Sequence, residues 1–204
     1  MMNNSRQAAN LTWDALLLIL LASGCALTLT PQSAQAVDID ALLTRAGTAQ
    51  KSGDHMTSID ALEQALDKVR VEAPLSAKPF LLVIGPAKYF GDYAARANAV
   101  FRSGEAQYFY MEPKNLVNPR TAAGTYEPAF DVDLQVLTKA GQVVASQDKF
   151  ASFQLPTKSP VQDIFLNLDV KLSGVPPGEY QVRFVLRDAN SKKTLTVTQP
   201  ITMK

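Results

Sequence analysis

Few side chains in this 204-residue chain can do chemistry at neutral pH, and their spacing limits what that chemistry could be. The one histidine, His55, stands beside Asp54, and Cys25 is the one cysteine. A Ser-His-Asp arrangement would have to run through His55, yet no serine in a nucleophile-elbow setting lies near it in sequence. One histidine and one cysteine are also too few for the usual zinc ligand sets. Asp131, Asp133 and Asp169 could in principle gather around calcium. Their spacing is instead the period-two pattern of any wet strand, and the calcium loop with its internal glycine is missing. These residues predict no catalytic centre, no metal and no cofactor, and a protein that is not an enzyme.

The remaining candidates are suited to recognition. Tyr89, Phe90 and Tyr93 precede Tyr108, Phe109 and Tyr110, and a second aromatic group falls at Tyr126, Phe130, Phe150 and Phe153. In a strand Tyr108 and Tyr110 share one face and Phe109 takes the other. With Phe109 in the core, both tyrosines would be exposed, as interface anchors are; with the tyrosines inward, Phe109 would cap an edge. Between Glu112 and Pro128 runs a long connection of the kind used for binding or left mobile, with Asn115 and Arg120 as its polar groups to watch. The candidate binding residues are therefore Tyr108, Tyr110, Asn115 and Arg120.

Two kinds of element must position these groups. From residue 37 to 73 the apolar positions follow helical spacing: Ile39, Leu42, Leu43, Ala46 and Ala49, then Met56, Ile59, Leu62, Leu66 and Val69. Gly53 can end the first helix and Asp54 cap the second, while Asp40 can cap the first, which predicts an αα-hairpin. With Ala49, Gly53, Asp54, Ile59, Leu62, Ala65 and Leu66 around its turn, the hairpin resembles one tetratricopeptide unit. Such units stack in about three copies to bury their faces, and no second copy follows, so packing on the β domain or on another subunit is the expectation.

After Pro74 and Pro79 the period changes to two. Phe130, Val132, Leu134 and Val136 alternate with polar residues, as do Ile164 to Leu172 and Tyr180 to Leu186. Weaker strands fall at Phe80 to Ile84, Ala106 to Met111, Val143 to Phe153 and Leu195 to Met203. The expected fold is mainly β, an antiparallel immunoglobulin or fibronectin III-like β-sandwich over 79–204 behind the short hairpin, with a closed barrel as the alternative. The phrases Phe101-Arg102-Ser103-Gly104-Glu105, Tyr108 to Pro113, Gly174 to Tyr180 and Leu186-Arg187-Asp188 resemble poorly characterised exported bacterial proteins with an immunoglobulin-like sandwich. That resemblance implies fold and carries almost no activity.

Arg6, the apolar run from Ala15 and the triplet Ala34-Gln35-Ala36 read as a secretory signal over 1–36, cleaved after Ala36. Leu21 to Cys25 offers an alternative, a lipobox that would anchor the protein through Cys25. The run from Ala15 to Leu29 falls short of the ~20 apolar residues that span a bilayer. Twenty Lys and Arg against nineteen Asp and Glu leave no basic field for nucleic acid. The expected role is that of an exported periplasmic or secreted envelope protein that binds another protein. A carbohydrate or small-ligand binding module is the alternative.

Overall fold

The structure is a computed structural model and describes residues 38–204; the signal, the lipobox Cys25 and the cleavage point lie outside the described residues. Helix α1 (Ile39–Ser52) begins where the Asp38 carboxylate accepts from the Asp40 N–H, so the cap is Asp38 rather than Asp40. Gly53 ends α1 at φ 78°, a conformation that costs a side-chain-bearing residue, and its N–H returns to the last carbonyls of the helix. Asp54 then caps α2 (His55–Glu72) by accepting from the Thr57 N–H at 3.1 Å. Those hydrogen bonds to Thr57 hold the Asp54 carboxyl below its usual range.

The helices meet through small residues. Leu42, Ala46 and Ala49 of α1 are buried, together with Ser58, Ala61 and Ala65 of α2. The larger apolar stripe of α2 faces the other way: Met56, Ile59, Leu62, Leu66 and Val69 are all exposed. Two apolar stripes compete on α2, and the small one wins because it allows closer backbone approach to α1.

Eight strands follow, β1 (Ser76–Val83), β2 (Val100–Phe101), β3 (Ala106–Lys114), β4 (Ala129–Thr138), β5 (Val143–Gln154), β6 (Leu166–Lys171), β7 (Gly178–Asp188) and β8 (Thr194–Met203). They form a three-strand sheet in the order β1-β3-β6 and a five-strand sheet in the order β2-β8-β7-β4-β5. All pairs are antiparallel except β2 with β8, which is parallel. β1 starts at Ser76, ahead of Pro79; the proline's missing N–H falls at a register shift between Ala77 and Phe80.

One apolar cluster fills the space between the sheets. It takes Leu82, Phe109, Met111, Leu166, Leu168 and Val170 from one and Phe130, Val132, Leu134, Val136, Val182, Phe184 and Leu186 from the other. The period-two faces read from sequence are the faces buried here. Gln107 is the misfit, with no exposure, its amide nitrogen 3.7 Å from the Met203 sulfur and its Oε1 without a hydrogen-bond partner. Replacing it with a linear apolar side chain removes that desolvation penalty, so Gln107→Met is expected to stabilise by about 1 kcal/mol, read as a raised urea midpoint at unchanged slope.

The hairpin is tied to the sheets at its C-terminal end. The Lys193 ammonium donates to the Arg70 carbonyl in the last turn of α2 at 2.8 Å and to the Asn115 carbonyl after β3 at 3.1 Å, which places a cation at the C-terminal end of the helix. The Asn115 side-chain amide donates to the Pro74 carbonyl at 2.9 Å. Leu75, directly after, is buried in the core cluster.

Candidate functional site

The four residues singled out from sequence do not gather into one site. Phe109 is in the core with no exposure, as one arrangement required, yet Tyr110 is fully buried as well and Tyr108 is half-buried. Strand alternation holds, but the outer face of the three-strand sheet is not wet. The connection between β1 and β2 folds over it, so that Tyr110 packs with Val83, Ala87, Leu81, Tyr108 and Phe165 in a second, smaller cluster. Tyr110 is therefore a buried anchor and not an exposed one.

Asn115 sits at φ 66° with its amide spent on Pro74, which makes it a brace between the end of α2 and the sheets. Arg120 is exposed and pairs by a single bridge with Tyr126, which in turn bridges Thr157. The 113–128 connection carries its own restraints. Asn118 exchanges hydrogen bonds with the Val161 backbone at 3.0 and 3.2 Å, and the Asp188 carboxylate accepts from the Val117 N–H at 2.9 Å.

The acidic strand residues are engaged locally. Asp131 accepts from Ser152 at 2.6 Å and lies 3.2 Å from the Lys149 ammonium; both interactions hold its carboxyl low. Asp133 accepts from the Arg187 guanidinium at 2.8 Å and from the backbone N–H of Lys149 at 3.0 Å. Lys149 has φ 48° and lies in the stretch where the β4–β5 register shifts. Asp169 belongs to the other sheet. Among the described residues no three His, Cys, Asp or Glu side chains come together as metal ligands. His55 Nδ1 lies 3.3 Å from the Gln50 Oε1 at the hairpin turn.

Two surfaces have the character of binding sites, and neither is the set read from sequence. The first is one face of the hairpin. Ile59, Leu62, Leu66 and Val69 recur at steps of three, four and three residues, which keeps them in one line along α2. In an antiparallel pair the corresponding flank of α1 carries Leu43 and the partly exposed Ile39. Leu43, Ile59, Leu62, Leu66 and Val69 are each 47–49% exposed. Five half-exposed aliphatic side chains leave roughly 400 Å² of apolar surface, the size at which a patch on a monomer marks an interaction site. The missed signal was the Ser58, Ala61, Ala65 line beside the larger one.

The second surface is the β1–β2 connection. It carries the exposed Ile84, Tyr89, Phe90 and Tyr93, and a concavity of about 340 Å³ opens against Pro86, Lys88, Asp92 and Tyr93. Another concavity, of about 380 Å³, lies at the β2, β7 and β8 edge beside the Lys139–Glu179 ion pair of 2.6 Å. That pair is exposed and holds the Lys139 ammonium above its usual range.

No family model matches the chain. No curated protein matches it either. Among solved structures it is similar to the alkylpurine DNA glycosylase of Pseudomonas fluorescens, at 11% identity and TM-score 0.37, over 80% of this chain and 43% of the other. A family 123 glycoside hydrolase from Clostridium perfringens aligns at 10% identity and TM-score 0.38, over 65% of this chain and 27% of that one. The CARDB domain of a Pyrococcus furiosus protein aligns at 10% identity and TM-score 0.28, over 61% and 93%. The chain thus spans less than half the length of the two enzymes, and likenesses this distant carry no argument about activity.

Proposed function

We propose that the protein is an exported, non-enzymatic interaction module of the bacterial envelope whose helical hairpin docks another envelope protein. The observation that carries this reading is the unpartnered line Ile59, Leu62, Leu66 and Val69, half exposed over about three turns of α2. A helix with a complete apolar line normally buries it, and here the sheets do not cover it. The occupant proposed is an amphipathic helix with basic flanks. Between residues 38 and 72 the hairpin holds seven carboxylates against four basic side chains, so a partner with basic flanks would meet an element of net negative charge.

Export rests on the signal-like segment before residue 37. No described helix is long and apolar enough to cross a membrane. For the β unit we propose the immunoglobulin or fibronectin III type of sandwich. Support comes from the order β1-β3-β6 opposite β2-β8-β7-β4-β5, in which the chain passes between sheets after β1, β2, β3, β5 and β6. The Tyr180 hydroxyl also donates to the Pro176 carbonyl at 2.9 Å, close to the start of β7, in the manner of the tyrosine corner of such sandwiches.

The docking reading is tested by placing a photo-crosslinking residue at Leu62 and identifying what it captures from the envelope. Support requires that a synthetic peptide of the captured segment be an apolar helix with Lys or Arg flanks and bind the purified protein. The double variant Leu62→Glu with Leu66→Glu is expected to weaken that binding at least ~10-fold, about 1.4 kcal/mol, while leaving the unfolding transition of the β unit in place. Crosslinking to a second copy of this chain, or peptide binding indifferent to the double variant, overturns it.

A further inference from the structure

The β1–β2 connection is fixed from beneath to a degree that a mere linker does not need. Its stem is closed by the Ile84 N–H donating to the Ala94 carbonyl and the Arg96 N–H to the Leu82 carbonyl, both at 2.9 Å. In its middle, the Asn167 amide both donates to the Ala87 carbonyl and accepts from the Ala87 N–H, each at 2.9 Å. Further along, the buried Tyr110 hydroxyl accepts from the Gly91 N–H at 2.8 Å and donates to Glu112 at 2.7 Å. These restraints hold the backbone of a loop whose aromatic side chains stay at the surface. Tyr89 is 71% exposed, Phe90 40% and Tyr93 38%.

Tyr93 is also oriented. Its ring rests on the buried Tyr110 ring with centroids 4.5 Å apart, so its remaining surface is presented outward at a set angle. It borders the 340 Å³ concavity beside Lys88 and Asp92, and among the described residues neither of those charges is in an ion pair. The core of a protein–protein interface is depleted in Lys and Asp. An oriented aromatic face with a free three-donor ammonium and a free acceptor beside it suits a ligand with an apolar ring face edged by hydroxyls. Sugars have that build. A volume of this size sits at the lower end of small-ligand sites.

We propose that this loop is a carbohydrate-binding site. A sugar ring lies on Tyr93, its hydroxyls are hydrogen-bonded by Lys88 and Asp92, and Tyr89 and Phe90 offer aromatic surface to a neighbouring ring of the same glycan chain. Because the backbone is held before the ligand arrives, little ordering cost falls on binding. The site is separate from the hairpin face and stands whether or not the hairpin docks a protein.

The test titrates the full protein calorimetrically with cellohexaose, xylohexaose, chitohexaose and muramidase-released peptidoglycan fragments. At least one is expected to bind with micromolar to millimolar affinity. Tyr89→Ala, Lys88→Ala and Asp92→Ala each alter exposed groups, so unfolding transitions stay unchanged while binding falls roughly 10-fold for Lys88→Ala and Asp92→Ala and several-fold for Tyr89→Ala. Leu62→Glu with Leu66→Glu leaves glycan binding unchanged, which separates this site from the hairpin. No binding of any of the four probes, or binding that survives all three loop variants, overturns the proposal.

Discussion

Phe184→Ala is expected to cost about 4 kcal/mol and to lower the urea midpoint with little change in slope. Phe184 has no exposure and stands at the centre of β7, where the two sheets face each other. Its ring meets Phe109 at 5.0 Å and 75°, Phe80 at 6.1 Å and 85°, and Phe150 at 6.2 Å and 45°. Phe80 and Phe109 come from the three-strand sheet and Phe150 from β5, so one ring holds both sheets and an edge strand together. Removing it forfeits the transfer energy of the ring and the edge-to-face contacts, and leaves a cavity that the surrounding strands cannot collapse into. A cost below 1 kcal/mol would mean that the sheets are not packed through this ring. Tyr89→Ala removes a side chain of similar size from a site 71% exposed, and no measurable shift is expected.

The same ring shows what sequence could and could not disclose. Phe184 was legible as core because β7 alternates without interruption, and one buried face forces the register of the whole strand. Phe130 to Val136 and Ile164 to Leu172 were legible for the same reason. β2 was not, since two residues, Val100 and Phe101, cannot show a period. Nor was its parallel pairing with β8, which depends on where a long connection returns.

The candidate site was harder to read, for a related physical reason. Alternation tells which residues share a face but not what covers it. Tyr108 and Tyr110 share one side of β3, as alternation requires, but alternation left open whether that side is wet, because the 84–99 connection that shields it has no periodic pattern of its own. On α2 the difficulty was reversed. The line Met56 to Val69 is plain in the sequence, but its spacing does not say what covers it, while the small residues that make the actual α1 contact look unremarkable one at a time. Charge gave no guide in either case, since the carboxylates that matter to the fold, Asp133 and Asp188, hold a strand irregularity and a turn.

Tyr110→Phe is expected to cost about 2 kcal/mol although it removes one oxygen atom. That oxygen has two partners. Without it the Gly91 N–H loses its acceptor, and the Glu112 carboxylate, 7% exposed, keeps only a distant Lys114 ammonium at 3.9 Å. Because the loss is local, amide exchange at Gly91 should accelerate by roughly 30-fold while exchange in β4 and β7 changes less.

The pH dependence separates this account from simple loss of packing. Burial first, and the neighbouring Glu112 charge after it, push the Tyr110 phenol up to about 12 from its ordinary 10.0. The folded state therefore holds this proton more tightly than the unfolded chain. The stability it contributes is whole below pH 10 and declines as pH rises toward 12, and the gap between wild type and Tyr110→Phe should narrow across that window. Glu112→Gln keeps a hydrogen-bonding partner for the phenol but removes the charge that opposes ionisation, so its alkaline decline should still begin near pH 10 but be smaller and level off at lower pH. A gap independent of pH between 9 and about 11.5 would show that the phenol is not held neutral by its surroundings. If the loop binds glycans through Tyr93, which rests on the Tyr110 ring, Tyr110→Phe should weaken that binding through loop order alone. The defect would then be partly repaired by saturating glycan, since a ligand that needs the ordered loop stabilises it in proportion to its occupancy.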